Sequence, residues 1–288
     1  MDRRGFLTAT TLGLANLALA GTPLGFERQH RLTDSVAARK TTVRVPGFLP
    51  STRGLHFGND FLHVPDLQIK LPGGLTIPIG DAASGLCGGM VYTVRDLFEA
   101  GISPPRTTSA PDDGPVLRYL ASRLLESLSQ PFGPATYLEL MKPALPDGDL
   151  PFVRGRAWRM LREEWPAIRD NLDRGTLSPL GLVTTKSSNP LDLGRNHQVL
   201  AWGYDLDGTQ LTLRLYDPNH PDDDDVTLSL DVGHPGRATP VRCSHRRRPV
   251  WCFFRTSYQF KDPRRALATR LSEVARGPRP TAAATADA

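Results

Sequence analysis

Two neighbouring segments decide the fold class: Asn196-His197-Gln198-Val199-Leu200-Ala201-Trp202-Gly203-Tyr204-Asp205 and Gln210-Leu211-Thr212-Leu213-Arg214-Leu215-Tyr216-Asp217-Pro218. The first reads as an apolar strand headed by a histidine. The second alternates cleanly, so Leu211, Leu213 and Leu215 share a face and Asp217 continues it. A carboxylate on an apolar face is costly unless it meets a partner. The intervening loop determines which partner. A two-residue Asp207-Gly208 turn pairs 206 with 209 and leaves Asp217 on the face away from His197. A three-residue Leu206-Asp207-Gly208 loop, with Gly208 left-handed, pairs 205 with 209. That register sets His197 opposite Asp217, with Cβ atoms roughly 5 Å apart. We expect the three-residue loop, because it gives the inward carboxylate a partner. The competing reading is a core histidine satisfied by a backbone carbonyl.

Around this hairpin the apolar period is two. Leu180–Thr185, Gln198–Tyr204, Gln210–Tyr216, Val226–Leu230, Pro240–Cys243 and Val250–Thr256 read as strands. Upstream of Pro179 the period is near four. One helix starts near Ser84, with Met90, Val91, Val94, Leu97 and Phe98 on one face and Gly101 as its stop. Others follow from about Pro115, over Pro134 to Met141, and over Val153 to Leu172, where Pro166 predicts a kink or a boundary. Helices over about 84–175 followed by strands over about 179–256 predict an α+β protein with segregated halves. Residues 56–82 read as short strands and loops, and 21–55 as an irregular surface leader. Residues 261–288 read as a basic helix and a disordered tail.

The first helix opens on Ser84-Gly85-Leu86-Cys87-Gly88-Gly89-Met90. Three glycines in five residues weaken a helix, so a purely structural role explains them poorly. A thiol in a helix's first turn feels the positive end of the dipole, which favours thiolate. Backbone N–H groups there also point outward, ready to hold a developing oxyanion. A small buried cysteine at a tight turn accounts for the local sequence equally well.

Cysteine at a helix start, histidine at the head of a strand, and aspartate before proline one strand later is the order of papain-like cysteine peptidases. The chain most resembles their C39-like branch, through Gly85-Leu86-Cys87-Gly88, His197 with Gly203-Tyr204-Asp205, and Asp217-Pro218. The resemblance spans roughly residues 56–256 and implies a helical lobe carrying Cys and a β lobe carrying His and Asp, within a catalytic domain over 56–260. It implies Cys87 as nucleophile, His197 as base and then acid, and Asp217 as the group orienting the imidazole. The chain departs from the family at the oxyanion glutamine, where Asp81 and Ala82 stand. Ser84, Asn59 or the Cys87 N–H are the candidate donors instead. The expected activity is hydrolysis of a peptide or amide bond through a thioester. A thiol acyltransferase or deamidase, or an inactive papain-like binding module of the cell envelope, are the alternatives.

The 288 residues carry 35 Lys+Arg against 30 Asp+Glu, a net charge of +5, which is no nucleic-acid footprint. The N-terminus, with Arg3-Arg4 before Phe6-Leu7 and an apolar run to Leu19, resembles a twin-arginine export signal. Cleavage after Ala20 would deliver a secreted, periplasmic or envelope protein without an integral membrane segment. No HExxH, paired CxxC or P-loop occurs, so neither metal nor cofactor is expected, and the protein is expected to act as a monomer. Asp222-Asp223-Asp224-Asp225 reads as a solvated acidic loop and Arg246-Arg247-Arg248 as a basic turn for solubility or substrate steering. Of the 3 cysteines, Cys243 and Cys252 flank a hairpin. A four-residue loop, Arg246–Pro249, would bring them within bridging range, and a disulfide and two reduced core thiols stand as equal alternatives. A disulfide would leave Cys87 as the free thiol.

Overall fold

The computed structural model describes residues 40–62, 67–70, 76–79, 85–129, 133–246, 248–264 and 266. The Arg3-Arg4 segment and nearly all of the expected C-terminal helix lie outside the described residues. The architecture is mixed helix and antiparallel sheet, the α+β class expected from the change of period. The helices are α1 (Pro50–Arg53), α2 (Cys87–Glu99), α3 (Gly114–Ser129), α4 (Gly133–Met141), α5 (Arg156–Arg159) and α6 (Trp165–Asp173). The strands are β1 (Thr41–Arg44), β2 (Leu67–Lys70), β3 (Thr76–Ile79), β4 (Ser178–Val183), β5 (His197–Asp207), β6 (Gln210–Tyr216), β7 (Thr227–Asp231), β8 (Arg242–Cys243) and β9 (Cys252–Arg255).

The main sheet runs β8-β7-β6-β5-β4-β9, with β1 also paired to β5, and β2 and β3 form a separate hairpin. On one edge β5 has two successive neighbours: β4 pairs with His197 through Ala201, and β1 takes over from Gly203. The strand β1 corrects the expectation of an irregular leader over 21–55. Its residues Thr41-Thr42-Val43-Arg44 show no apolar alternation, and pairing and charge hold them instead. Arg44 meets both carboxylate oxygens of Asp205 at 2.9 Å, and Val45 and Phe48 enter the core behind it.

Pro166 does mark a boundary. A π-helical turn, Met160–Glu164, separates α5 from α6. Proline has no N–H and its ring crowds the carbonyl four residues back, so the chain widens by a residue just before it. In the β half, β6 has the bounds expected. The β5–β6 connection does not. Asp207 pairs with Gln210, so the turn is Gly208-Thr209, with Gly208 at φ +57°, the pattern of a two-residue hairpin turn with glycine first.

Candidate active site

The two-residue turn by itself would put His197 and Asp217 on opposite faces, because partners along the outer half of the hairpin sum to an odd number, as in Asp205↔Thr212. A β-bulge at Trp202 restores them. Beyond it Ala201 pairs with Leu215 and Leu200 with Tyr216, so the strand has slipped by one residue and Asp217 shares the face of Val199 and His197. The two side chains meet diagonally rather than directly. His197 Nε2 donates to Asp217 Oδ1 at 2.7 Å, with both residues buried. The expected pair therefore forms, through a register that differs from the expected one.

Asp217 is the first residue past β6. Its Oδ1 also accepts the Asn219 backbone N–H at 2.9 Å, which ties the carboxylate to the turn that follows. The other oxygen, Oδ2, is buried without a hydrogen-bond partner among the described residues. On the far side of the ring, Tyr137 of α4 donates its hydroxyl to the His197 carbonyl at 3.0 Å and fixes the strand end.

Cys87 is the first residue of α2, whose entry has no side-chain cap, so the N–H groups of its first turn lack partners within the helix. The glycines after it are there for close approach. A Cβ on Gly89 would collide with the Leu120 carbonyl oxygen of α3, and one on Gly88 with Ser127 and Gln198. Their bareness lets α3 and β5 close over the first turn, and Cys87 ends 7% exposed. With Nε2 on Asp217, Nδ1 is the ring nitrogen left for the sulfur, and Cys87 and His197 line the same pocket and each shifts the titration of the other.

Burial alone would push the Cys87 thiol up. The hydrogen bond and charge of His197, with the Gln198 backbone N–H, outweigh burial and leave the thiol below its ordinary value. Burial would likewise strip the His197 proton, but the Asp217 carboxylate and the Cys87 sulfur reverse this and raise the imidazole to about 9. Burial also opposes the charge on Asp217, yet His197, the Asn219 N–H and Arg246 hold it down to about 2. Both shifts favour the thiolate–imidazolium form of the pair, with Asp217 ionised behind it.

Asn59 and Ser84 are the expected oxyanion candidates. Ser84 and Asp81 lie outside the described residues. Asn59 Oδ1 accepts the Leu86 backbone N–H at 2.6 Å, one residue before Cys87. An N–H can only donate, so this contact fixes which end of the amide faces the backbone and leaves the NH2 end as the available donor. A narrow, mostly apolar cavity of about 30 Å³ adjoins Cys87 and His197, lined by Leu124, Leu128, Tyr137 and Leu193 among others.

Three contributors were not found from sequence. Tyr137 and the Gln198 N–H act through tertiary placement that no local pattern announces. Arg246 reads in sequence as one member of a basic turn for solubility or substrate steering, but its Nη1 is buried without a hydrogen-bond partner among the described residues and its charge lowers the Asp217 pKa. The expected disulfide option is corrected: all three cysteines are free. The edge bridge pairs Val241 with Val250, which puts the cysteines out of register. Cys243 joins β7 at Leu228, and Cys252 joins β4 at Val183. Cys252 is a buried core thiol pushed up to about 12 by desolvation.

Among the described residues no group of three or more His, Cys, Asp or Glu is placed to hold a metal ion, and no helix is long and apolar enough to cross a membrane. Compared with known proteins, the chain matches no family model, no curated protein and no solved structure.

Proposed function

We propose that the protein is a papain-like cysteine hydrolase, exported through its Arg3-Arg4 segment, that cleaves a peptide or amide bond through a thioester on Cys87. The observation that carries this reading is the buried set Cys87, His197 and Asp217 at the start of α2, with His197 held to Asp217 at 2.7 Å and Cys87 lining the same pocket as the ring. A merely structural histidine would be satisfied by a backbone carbonyl; here Nε2 is committed to a buried carboxylate and the pocket beside the ring is shared with a thiol.

In this mechanism the Cys87 thiolate attacks the carbonyl carbon, and the Cys87 N–H with the Asn59 NH2 receives the developing oxyanion. The imidazolium of His197 gives its proton to the departing amine as the carbon–nitrogen bond breaks. Neutral His197 then takes a proton from water, whose oxygen attacks the thioester. The Cys87 sulfur leaves as thiolate and the acid product departs. Asp217 keeps the ring in the tautomer that presents Nδ1 to sulfur and stabilises its charged form. The small apolar cavity beside the sulfur fits a slim apolar group of the substrate next to the scissile bond.

Alkylation tests the reading. Iodoacetamide or an epoxide probe should modify Cys87 rapidly near neutral pH and leave Cys252 untouched. His197→Ala should slow Cys87 modification by about 100-fold or more, the scale of losing the group that ionises a nucleophile. Slow labelling at Cys87 that is indifferent to His197 would overturn the hydrolase and favour an inactive binding module.

A further inference from the structure

Three exposed large apolar side chains, the most exposed of the described residues among them, sit together at one turn. Leu150, Phe152 and Val153 are all exposed, and Phe152 has no shielding at all. The turn is a tight two-residue hairpin: Leu150 and Val153 exchange both backbone hydrogen bonds at 3.0 Å, leaving Pro151 and Phe152 at the tip. Phe152 has φ +65°, a left-handed conformation that glycine occupies freely and a bulky side chain does not. The fold gains nothing from this residue there. It strains the backbone and places a full aromatic ring in water.

The base of the turn is rigid and cationic. Asp149 anchors it by accepting Arg154 at 2.6 Å and the Gly155 N–H at 2.9 Å, while its own N–H donates to the Gly236 carbonyl at 2.8 Å. Arg154 lies 5.0 Å over the ring of half-buried Trp158. The neighbouring carboxylates are already engaged, Asp149 by Arg154 and Asp147 by Arg156 and Lys186. Exposed Arg237 follows Gly236 on the adjoining loop, and Lys142, whose carbonyl accepts from Arg156, is also exposed; among the described residues neither has a carboxylate partner.

An apolar tip above a cationic, tryptophan-bearing collar is the chemistry of a membrane–water interface, where rings enter the acyl boundary and Arg and Lys meet anionic headgroups. Four residues at a turn are too few for a stable protein interface, which needs roughly 1,200 Å² or more of buried surface. We propose that the Leu150–Val153 tip inserts into the surface of an anionic lipid bilayer and holds the protein against it. The proposal does not depend on the catalytic reading.

Co-sedimentation of the full chain with vesicles tests it. The wild-type chain should bind phosphatidylglycerol-containing vesicles, bind phosphatidylcholine vesicles more weakly, and release as salt rises. Phe152→Gly should cut binding by about tenfold, the scale of one phenylalanine's apolar burial. Its melting temperature should be equal to or above the wild type's, because glycine relieves the left-handed strain. The N-terminal apolar run is identical in both proteins, so the difference reads the tip alone. Wild-type failure to bind either vesicle overturns the proposal and leaves a protein partner as the occupant. Equal binding by Phe152→Gly overturns it as well.

Discussion

Helix α2 has a buried carboxylate network at each end, and the two are built to opposite specifications. Near its C-terminus, Asp96 is fully buried and saturated. It accepts Tyr119 at 2.9 Å, Tyr258 at 2.6 Å, the Lys261 N–H at 3.1 Å and Arg123 Nη2 at 3.1 Å, and forms an ion pair with the same guanidinium. That cluster fastens the C-terminal segment to α2 and α3. At the N-terminus, Asp217 is equally buried but accepts only two donors, both on one oxygen, and its partner is a histidine that titrates. Saturation makes a network rigid and inert. A spare oxygen and a titratable partner leave it able to move a proton.

Substitution should separate the two roles. Asp217→Asn keeps the shape but loses the charge that holds His197 protonated, so Cys87 alkylation and any amide hydrolysis should fall by roughly 100- to 10,000-fold. The melting temperature should fall less than in Asp96→Ala, because the amide still accepts from His197 and the Asn219 N–H. Asp96→Ala should do the reverse. It strands a buried guanidinium, which costs about 3–5 kcal/mol and lowers the melting temperature by roughly 10 °C, while the folded fraction still labels at Cys87. A stability loss from Asp217→Asn as large as that from Asp96→Ala would make both networks structural.

Alkaline pH sharpens the contrast. His197 has a folded value of about 9 against an ordinary 6.5, so the stability it contributes is complete below 6.5 and lost as pH rises through about 9. Thermal melts between pH 7 and 10 should therefore slope downward in the wild type and more gently in His197→Ala. Hydrolysis should decline over the same upper range, since neutral His197 has no proton for the leaving amine. The Arg123–Asp96 pair is charged throughout and adds no slope there.

The residues that gather at this site were legible in sequence while their geometry was not. Cys87 among glycines, His197 at a strand head and Asp217 on an apolar face are local patterns, because each depends on a strand or helix period. The register is different. The Trp202 bulge sits where β5 passes from β4 to β1, and nothing within the hairpin encodes that handover. β1 itself was missed because an edge strand held by Arg44–Asp205 has no apolar rhythm to read. Of the two equal alternatives for Cys243 and Cys252, the structure holds the free thiols: the disulfide needed a local loop, whereas the two residues pair with β7 and β4. Asp96 was passed over as one polar residue in a helix, although its partners come from α3 and from a segment more than 160 residues away.

Arg246 tests how far the reactive network extends. Its Nη1 and Asp217 Oδ2 are both buried without a hydrogen-bond partner among the described residues, and its charge is one of the influences that keep Asp217 ionised. It touches neither sulfur nor ring, so its part is positional. Arg246→Gln should cost about 1 kcal/mol, the scale of a half-exposed charge, or roughly fivefold in Cys87 reactivity. The signature lies in the acid limb. Asp217 is depressed to about 2 from an ordinary 3.8, so its contribution holds above 3.8 and disappears as pH falls through about 2. Without Arg246 the folded value rises, and the loss of stability and reactivity should begin at a higher pH. Arg246→Lys, which keeps the charge, should restore the wild-type limb. A uniform fall in rate with an unmoved limb, and no recovery with lysine, would return Arg246 to the solvated basic turn in which the sequence first placed it.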